Sequence, residues 1–383
     1  MSLTTNPLGI YIHVPFCRRR CNYCDFLSRG GSDAVPDAYI HAVAGEWRLW
    51  ESAVADGYTL QSIYVGGGTP SLLLPGQLSR LLEALRSRLQ IAPDCEVTVE
   101  GNPDSLDVPR MRAFVQAGVN RFSIGIQSFS DTALARLGRL HDAREAEQVV
   151  VQAREAGVAN LSLDLMYGLP GSSTDEELRS LQRAIDLSPE HISWYNLTLA
   201  PGTPLARSVT AGDEVMPDDD EILETMRKGW QLLEASGYQH YEISNFSRPG
   251  RASRHNLGYW LSTDYVGLGL GASGFLAGRR WTNVADWSTY VAALARNERP
   301  IGAEEQLDKR RRQGEYAMLR MRLPADGLSF GDFEARFGED VRAPFGSILD
   351  QLAQDGLIRM EADRAVCTQR GLELNNVVAE AFI

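Results

Sequence analysis

Along the first 200 residues, short apolar and β-branched runs alternate with stretches whose apolar positions recur at helical spacing. The short runs are GIYIHV (9–14), QSIYVGGG (61–68), CEVTVEGNP (95–103), RFSIGIQ (121–127), NLSLDLMYG (160–168) and HISWYNLTL (191–199). Helical segments lie between them, near 36–55, 75–90, 107–117, 130–156 and 174–187. This repetition predicts βα units on a parallel sheet. Six such strands exceed a Rossmann half, so the pattern predicts an α/β chain folded as an open or partial (β/α) barrel. Polar residues interrupt the runs at their C-terminal ends: Gly66, Gly67 and Gly68 after IYV, Glu100 after VTV, Gln127 after FSIGI, and Asp164 late in LSLDLM. In such barrels that end carries the active site. Turn formation explains the glycines, but not a carboxylate or amide inside an apolar run.

Beyond residue 200 the texture changes. The segment 201–221 is rich in Pro, Gly and acidic residues and reads as a long loop. A helix near 219–236 and the run YQHYEISNF (238–246) continue the domain, and aromatic residues and glycines crowd 251–274. From about residue 300, KRRRQGEYAMLRMR, SFGDFEARFG and FGSILDQLAQDG read as helices, followed by a hairpin and a last helix. The expected division is a barrel domain with its extension over 1–290 and a small, mostly helical, winged-helix-like domain over 300–383. The basic run Lys309, Arg310, Arg311 and Arg312 reads as a solvated helix face.

Composition narrows the function classes. Lys plus Arg is 38 and Asp plus Glu is 50, a formal charge of −12. An acidic surface repels phosphate backbones, so nucleic acid is not an expected partner. No apolar run approaches the roughly 20 residues needed to span a bilayer. The opening MSLTTNPLG lacks the cationic and apolar regions of a secretory leader. The five cysteines are too few for a disulfide scaffold, and their odd number fits a reducing cytoplasm.

Three of the five, Cys17, Cys21 and Cys24, share the spacing C-x3-C-x2-C directly after the first strand. Three thiolates on one short loop suit a soft metal centre. A [4Fe-4S] cluster with one open iron is the leading reading. A zinc site completed by His13 competes with it, without the second C-x2-C pair usual in structural zinc sites. Three unliganded thiols are the third reading. Cys95 and Cys367 are isolated, and Cys367 reads as a small buried hydrophobe.

This loop, with Tyr23 before its last cysteine, resembles the radical S-adenosylmethionine (SAM) superfamily. YIHVPFC-x3-C-x2-C together with GGGTP (66–70) is narrower. It resembles the oxygen-independent coproporphyrinogen III oxidase-like family, which holds dehydrogenases and a haem-chaperone branch, over nearly the whole chain. The resemblance implies that the three cysteines hold a [4Fe-4S] cluster whose open iron chelates the methionine part of SAM. An electron from the cluster can then cleave SAM to a radical, the cofactors carrying the hard chemistry. It also implies a set of SAM contacts. Tyr11 packs near the cluster, and Gly67, Gly68 and Thr69 let the backbone approach. Glu100 suits the SAM ammonium, Gln127 is a polar contact, Arg139 suits the carboxylate and Asp164 suits the ribose hydroxyls.

Three features separate the branches. The dehydrogenases carry a further cysteine where this chain has Phe26, and a longer N-terminal segment than the ten residues before Tyr11. His255-Asn256-Leu257-Gly258-Tyr259-Trp260 matches the H-N-x-x-Y-W motif of the haem-chaperone branch. That match implies His255 as a haem ligand, with Tyr259 and Trp260 against the macrocycle. A histidine capping a helix beside core aromatics is the competing reading. The expected function is a radical-SAM-fold haem chaperone that binds haem and passes it to apo-proteins. The alternative is oxidative decarboxylation of coproporphyrinogen III propionates, which the position of Phe26 disfavours. The resemblance implies haem-accepting apo-proteins as partners, respiratory enzymes among the candidates. It is compatible with a homodimer and with peripheral membrane contact, although no strongly amphipathic basic helix demands the latter.

Overall fold

The computed structural model describes residues 5–87 and 89–383. Residues 1–4 of the opening segment, and position 88 near the end of the expected 75–90 helix, lie outside the described residues. One large sheet organises the chain. Its strands are β1 (Asn6–Val14), β2 (Tyr58–Gly67), β3 (Gln90–Gly101), β4 (Arg121–Gln127), β5 (Leu161–Tyr167), β6 (His191–Asn196), β7 (Gln239–Glu242), β8 (Asn245–Ser247), β9 (Asp264–Leu268), β10 (Ser273–Leu276), β11 (Arg279–Asn283) and β12 (Ile301–Gln306). They lie in the order β12-β11-β10-β9-β1-β2-β3-β4-β5-β6-β8-β7. The strands from β9 through β1 to β6 run parallel. Antiparallel strands extend both sides. With β12 and β7 as its ends, the sheet is open, as the partial-barrel pattern predicts.

Burial explains why these runs are strands. β4 is buried along its whole length, and β5 at every position but Asp164. Parallel strands covered on both faces read as continuous apolar runs. The outer helices start on side-chain caps: Asp107, Asp142 and Ser173 accept from the backbone N–H of Arg110, Glu145 and Glu176.

Two expectations are corrected. The loop expected over 201–221 holds a helix, Pro204–Ala211. Thr203 caps its start, proline occupies its first turn, and Gly212 ends it at φ 82°. The Pro and Gly that suggest a loop mark the two ends of a short helix. The segment 251–274 divides into the helix Arg254–Trp260, strand β9 and the start of β10. The first unit also runs past the division expected at 290–300, because β12 pairs with β11. β12 is exposed at nearly every position, so it carries no hydrophobic signal.

The C-terminal unit has the helices Lys309–Arg320, Phe330–Phe337 and Arg342–Gln354, and a small sheet of β13 (Leu328–Ser329), β14 (Ile358–Met360) and β15 (Arg364–Cys367). It has its own core around Phe333, Phe345 and Leu349. Arg322 joins it to the sheet unit, lying 4.3 Å over the Trp260 ring and 3.5 Å from Glu242.

Glu46, on the helix Asp37–Val54, ties the β9–β11 extension to the barrel. It is fully buried, and burial pushes its pKa up to about 7. It accepts from Gly269 N–H (2.8 Å), Asn283 Nδ2 (2.7 Å) and the Tyr290 hydroxyl. Glu46→Ala leaves these donors buried without their acceptor. The expected cost is about 3 kcal/mol, read as a lower urea midpoint at unchanged m. A change within about 0.5 kcal/mol, the scale of surface substitutions, contradicts this role.

Candidate functional site

The cysteine loop leaves the C-terminal end of β1 and is pinned by backbone bonds. Cys17 N–H donates to Arg29 O (2.9 Å), and Ser32 N–H to Cys17 O (3.0 Å). Asn22 is held on both sides, donating to Leu137 O and accepting from Leu205 N–H. The latter donor belongs to the helix that sequence pattern missed. His13 bridges β1 to the loop, its Nδ1 against the Tyr11 hydroxyl (2.9 Å) and its Nε2 against Leu27 O (2.8 Å). Both ring nitrogens of His13 are engaged in hydrogen bonds. All five cysteines are free thiols. Burial raises the pKa of Cys17 and Cys24. Among the described residues no three Cys, His, Asp or Glu side chains group tightly enough to hold a single metal ion.

The three cysteines line a cavity of about 390 Å³ at the C-terminal ends of the parallel strands. Gly67, Gly68, Thr69, Glu100, Gln127, Arg139 and Asp164 line the same space. Tyr11 does not; it lies one layer below, stacked near Tyr64 at 6.3 Å between ring centroids.

The glycine turn is forced by close approach. A Cβ on Gly67, at φ 114°, would stand 2.6 Å from the His13 ring, and one on Gly68 would stand 2.8 Å from Cys17 Sγ. Glu100 accepts from Tyr64 Oη at Oε1 (2.7 Å) and from Gly67 N–H at Oε2 (3.0 Å). Burial, reinforced by nearby Asp164, pushes its pKa up to about 7. Asp164 accepts from Ser123 (3.0 Å), Ser162 (3.1 Å) and Ser193 (2.8 Å), while burial raises its pKa. Gln127 sits at φ 68° beside a break in the β4–β5 register and accepts from the Tyr195 hydroxyl (2.8 Å). A non-glycine residue in that region stores strain, which functional sites often hold.

Arg139 reaches the cysteine loop, with Nη1 3.4 Å from Cys21 Sγ and Nη2 2.7 Å from Asn102 Oδ1. Its Nε is buried without a partner. Burial opposes its charge, but Tyr23 and Cys21 outweigh that and hold it above the usual guanidinium pKa. Sequence reasoning missed Asn102, Tyr195 and the three serines. The alternating serines facing the sheet interior were the available signal. The arrangement fits the expected groups. Three thiols share a cavity with a carboxylate suited to an ammonium, an unsatisfied guanidinium donor suited to a carboxylate, and an acidic hydroxyl acceptor.

His255 is elsewhere, packed against Gly9 and Ser62 in the N-terminal half of the β1–β2 pair. It is 3 % exposed. Its Nδ1 meets Ser62 Oγ and its Nε2 meets the Tyr259 hydroxyl, each at 2.9 Å. Burial lowers its pKa to about 3. Tyr64 spans the two regions, its ring stacked 5.1 Å from His255 while its hydroxyl donates to Glu100.

Residues 11–184 match the Radical SAM superfamily, and residues 307–374 match the HemN C-terminal domain. The heme chaperone HemW of Escherichia coli K12 is 38% identical over 98% of both chains. The chain belongs to the HemW family. Heme chaperone HemW of Bacillus subtilis 168 is 35% identical, over 97% of this chain and 98% of its own. The solved coproporphyrinogen III oxidase (HemN) from Escherichia coli shares the fold, with a TM-score of 0.85 over 99% of this chain and 90% of its own at 22% identity. In this HemW-family chain the sheet, the cysteine loop and the C-terminal unit all fall within that shared fold.

The Tyr64 bond, with the Gly67 N–H and Arg121, holds the Glu100 pKa down. Tyr64→Phe removes it, so the Glu100 pKa is expected to rise above about 7. Carbon NMR of side-chain-labelled glutamate reads the shift directly. An unchanged or lower value contradicts the geometry.

Proposed function

We propose that this chain is a haem chaperone that carries a [4Fe-4S] cluster and SAM in the strand-end cavity, binds haem, and delivers it to acceptor apo-proteins. The observation that carries the proposal is the match, end to end, with relatives named as heme chaperones. The local chemistry agrees. Cys17, Cys21 and Cys24 are the cluster ligands. Glu100 receives the SAM ammonium, Arg139 its carboxylate, and Asp164 its ribose hydroxyls once the serine hydroxyls yield. Gln127 is fixed by Tyr195 and offers its amide NH₂ to the nucleoside. The cluster supplies one electron and an open coordination site when bound. The protein positions SAM, excludes water and balances charge.

His255 is the haem ligand in this reading. Its Nε2 becomes available when the Tyr259 hydroxyl turns away. Its low pKa supports ligation, because the imidazole stays neutral across the physiological range. Five free thiols support a reducing cytoplasm as the compartment. No helix among the described residues is long and apolar enough to cross a membrane. Acceptors such as respiratory enzymes, a homodimer and peripheral membrane contact extend the same reading.

Reconstituted protein, given SAM, a reductant and coproporphyrinogen III without oxygen, is expected to leave the propionates intact. It is expected to bind haem, with affinity weakened about tenfold or more by His255→Ala. Formation of protoporphyrinogen contradicts the chaperone reading and favours the dehydrogenase. SAM binding gives an independent check. Glu100 must be ionised to hold the ammonium, and its pKa of about 7 places its protonation just below neutrality. SAM affinity of cluster-loaded protein is expected to fall between pH 7 and pH 6, approaching about tenfold per unit as protonation completes. Glu100→Gln loses this slope. The same slope in both proteins removes Glu100 from the ammonium site.

A further inference from the structure

A second cavity, of about 360 Å³, opens between the sheet unit and the C-terminal unit. Tyr259, Tyr265 and Phe275 line it from the sheet unit, and Tyr316 and Phe337 from the C-terminal helices. The rings of Tyr259 and Tyr265 meet edge to face at 4.7 Å between centroids. Tyr259 also lines a neighbouring cavity of about 310 Å³ beside His255. Tyr259, Thr263, Asp264 and Tyr265 line both cavities, so a thin shared wall separates the His255 imidazole from the cleft between the units.

The charges around this cleft invert the acidic balance of the whole chain. Arg280, Arg312 and Arg336 face it, against Asp264 and Glu315. Arg280 is paired with Glu315. Asp264 is engaged by the Tyr58 hydroxyl (2.6 Å) and Ala277 N–H (3.1 Å). Arg336 makes one bond to Ser262 O (2.7 Å) and lies 5.4 Å from the Tyr316 ring centre. Arg312 has no side-chain hydrogen bond or ion pair among the described residues, in contrast to its companions in the basic run. Lys309 pairs with Glu339, Arg310 donates to Pro344 O, and Arg311 pairs with Glu305. Arg312 and Arg336 are both exposed.

We propose that this cleft seats the haem, with Arg312 and Arg336 pairing with its propionates at the solvent edge and Tyr259 turning aside so that His255 can reach the macrocycle. The proposal rests on the haem-binding reading above and adds the seat and the anchors. Aromatic walls suit a flat apolar macrocycle, and forked guanidinium groups suit carboxylates. Placing the anchors on the C-terminal unit and His255 on the sheet unit gives each unit one end of the ligand. A shift between the units then loosens both attachments together, which suits a protein that must release what it holds.

The test is haem titration of the full chain, followed by absorbance. Arg312→Gln/Arg336→Gln is expected to weaken haem binding about tenfold or more, the scale for lost charge-assisted bonds. Arg312→Lys/Arg336→Lys keeps both charges and is expected to retain most of the affinity. Haem dimethyl ester, without propionate charge, is expected to bind wild type and the glutamine variant alike. If the glutamine variant binds haem as tightly as wild type while His255→Ala still weakens it, the seat is elsewhere and only this inference falls. If wild type binds no haem, the chaperone reading falls with it.

Discussion

The parallel register of β1 against β2 is the constraint on which both sites depend. Gly9 pairs with Ser62, Tyr11 with Tyr64, and Val14 with Gly67. The first pair forms the floor under His255. The last carries the cysteine loop on one strand and the glycine turn on the other. Five residues of strand, about 16 Å, separate the two ends. The Tyr11–Tyr64 layer lies between them. A slip of one residue would turn the side chains of one strand to the other face and dismantle both sites at once.

Charge balance is the second constraint. Glu96, Glu100 and Asp164 are all placed in the barrel interior, and Arg121, 1 % exposed, lies among them. It opposes the upward shifts of Glu100 and Asp164 and lowers the pKa of His255. Glu96 in turn accepts from Ser253 Oγ and from the backbone N–H groups of Arg254 and His255, fixing the start of the motif helix. Through Arg121 the two ends of the barrel share one electrostatic environment.

Much of this was legible in the sequence because burial is written as uninterrupted apolar runs. Glu100, Gln127 and Asp164 stood out as polar residues where packing alone would favour apolar ones, and all three line the cavity. Tyr11 was placed near SAM by resemblance, but as an aromatic on the same strand it belongs to the layer beneath. The short helix over 204–211 was hidden because its Pro and Gly ends imitate a loop. β12 was hidden because an exposed edge strand carries no hydrophobic pattern. The Ser62 contact of His255 Nδ1, and the meeting of Arg280 with Arg312 and Arg336 around the cleft between the units, depend on chain segments far apart in sequence. No local pattern encodes them.

In the proposed reading the cluster occupies the strand-end cavity and haem binds at the His255 end. The most direct test of this arrangement is haem titration of Cys17→Ala/Cys21→Ala/Cys24→Ala, which removes the cluster ligands without touching the His255 end. Iron–sulfur absorption is expected to disappear while haem affinity stays within about twofold of wild type, well under the tenfold of a 1.4 kcal/mol loss. Loss of haem binding together with the cluster would place haem in the strand-end cavity and contradict this arrangement.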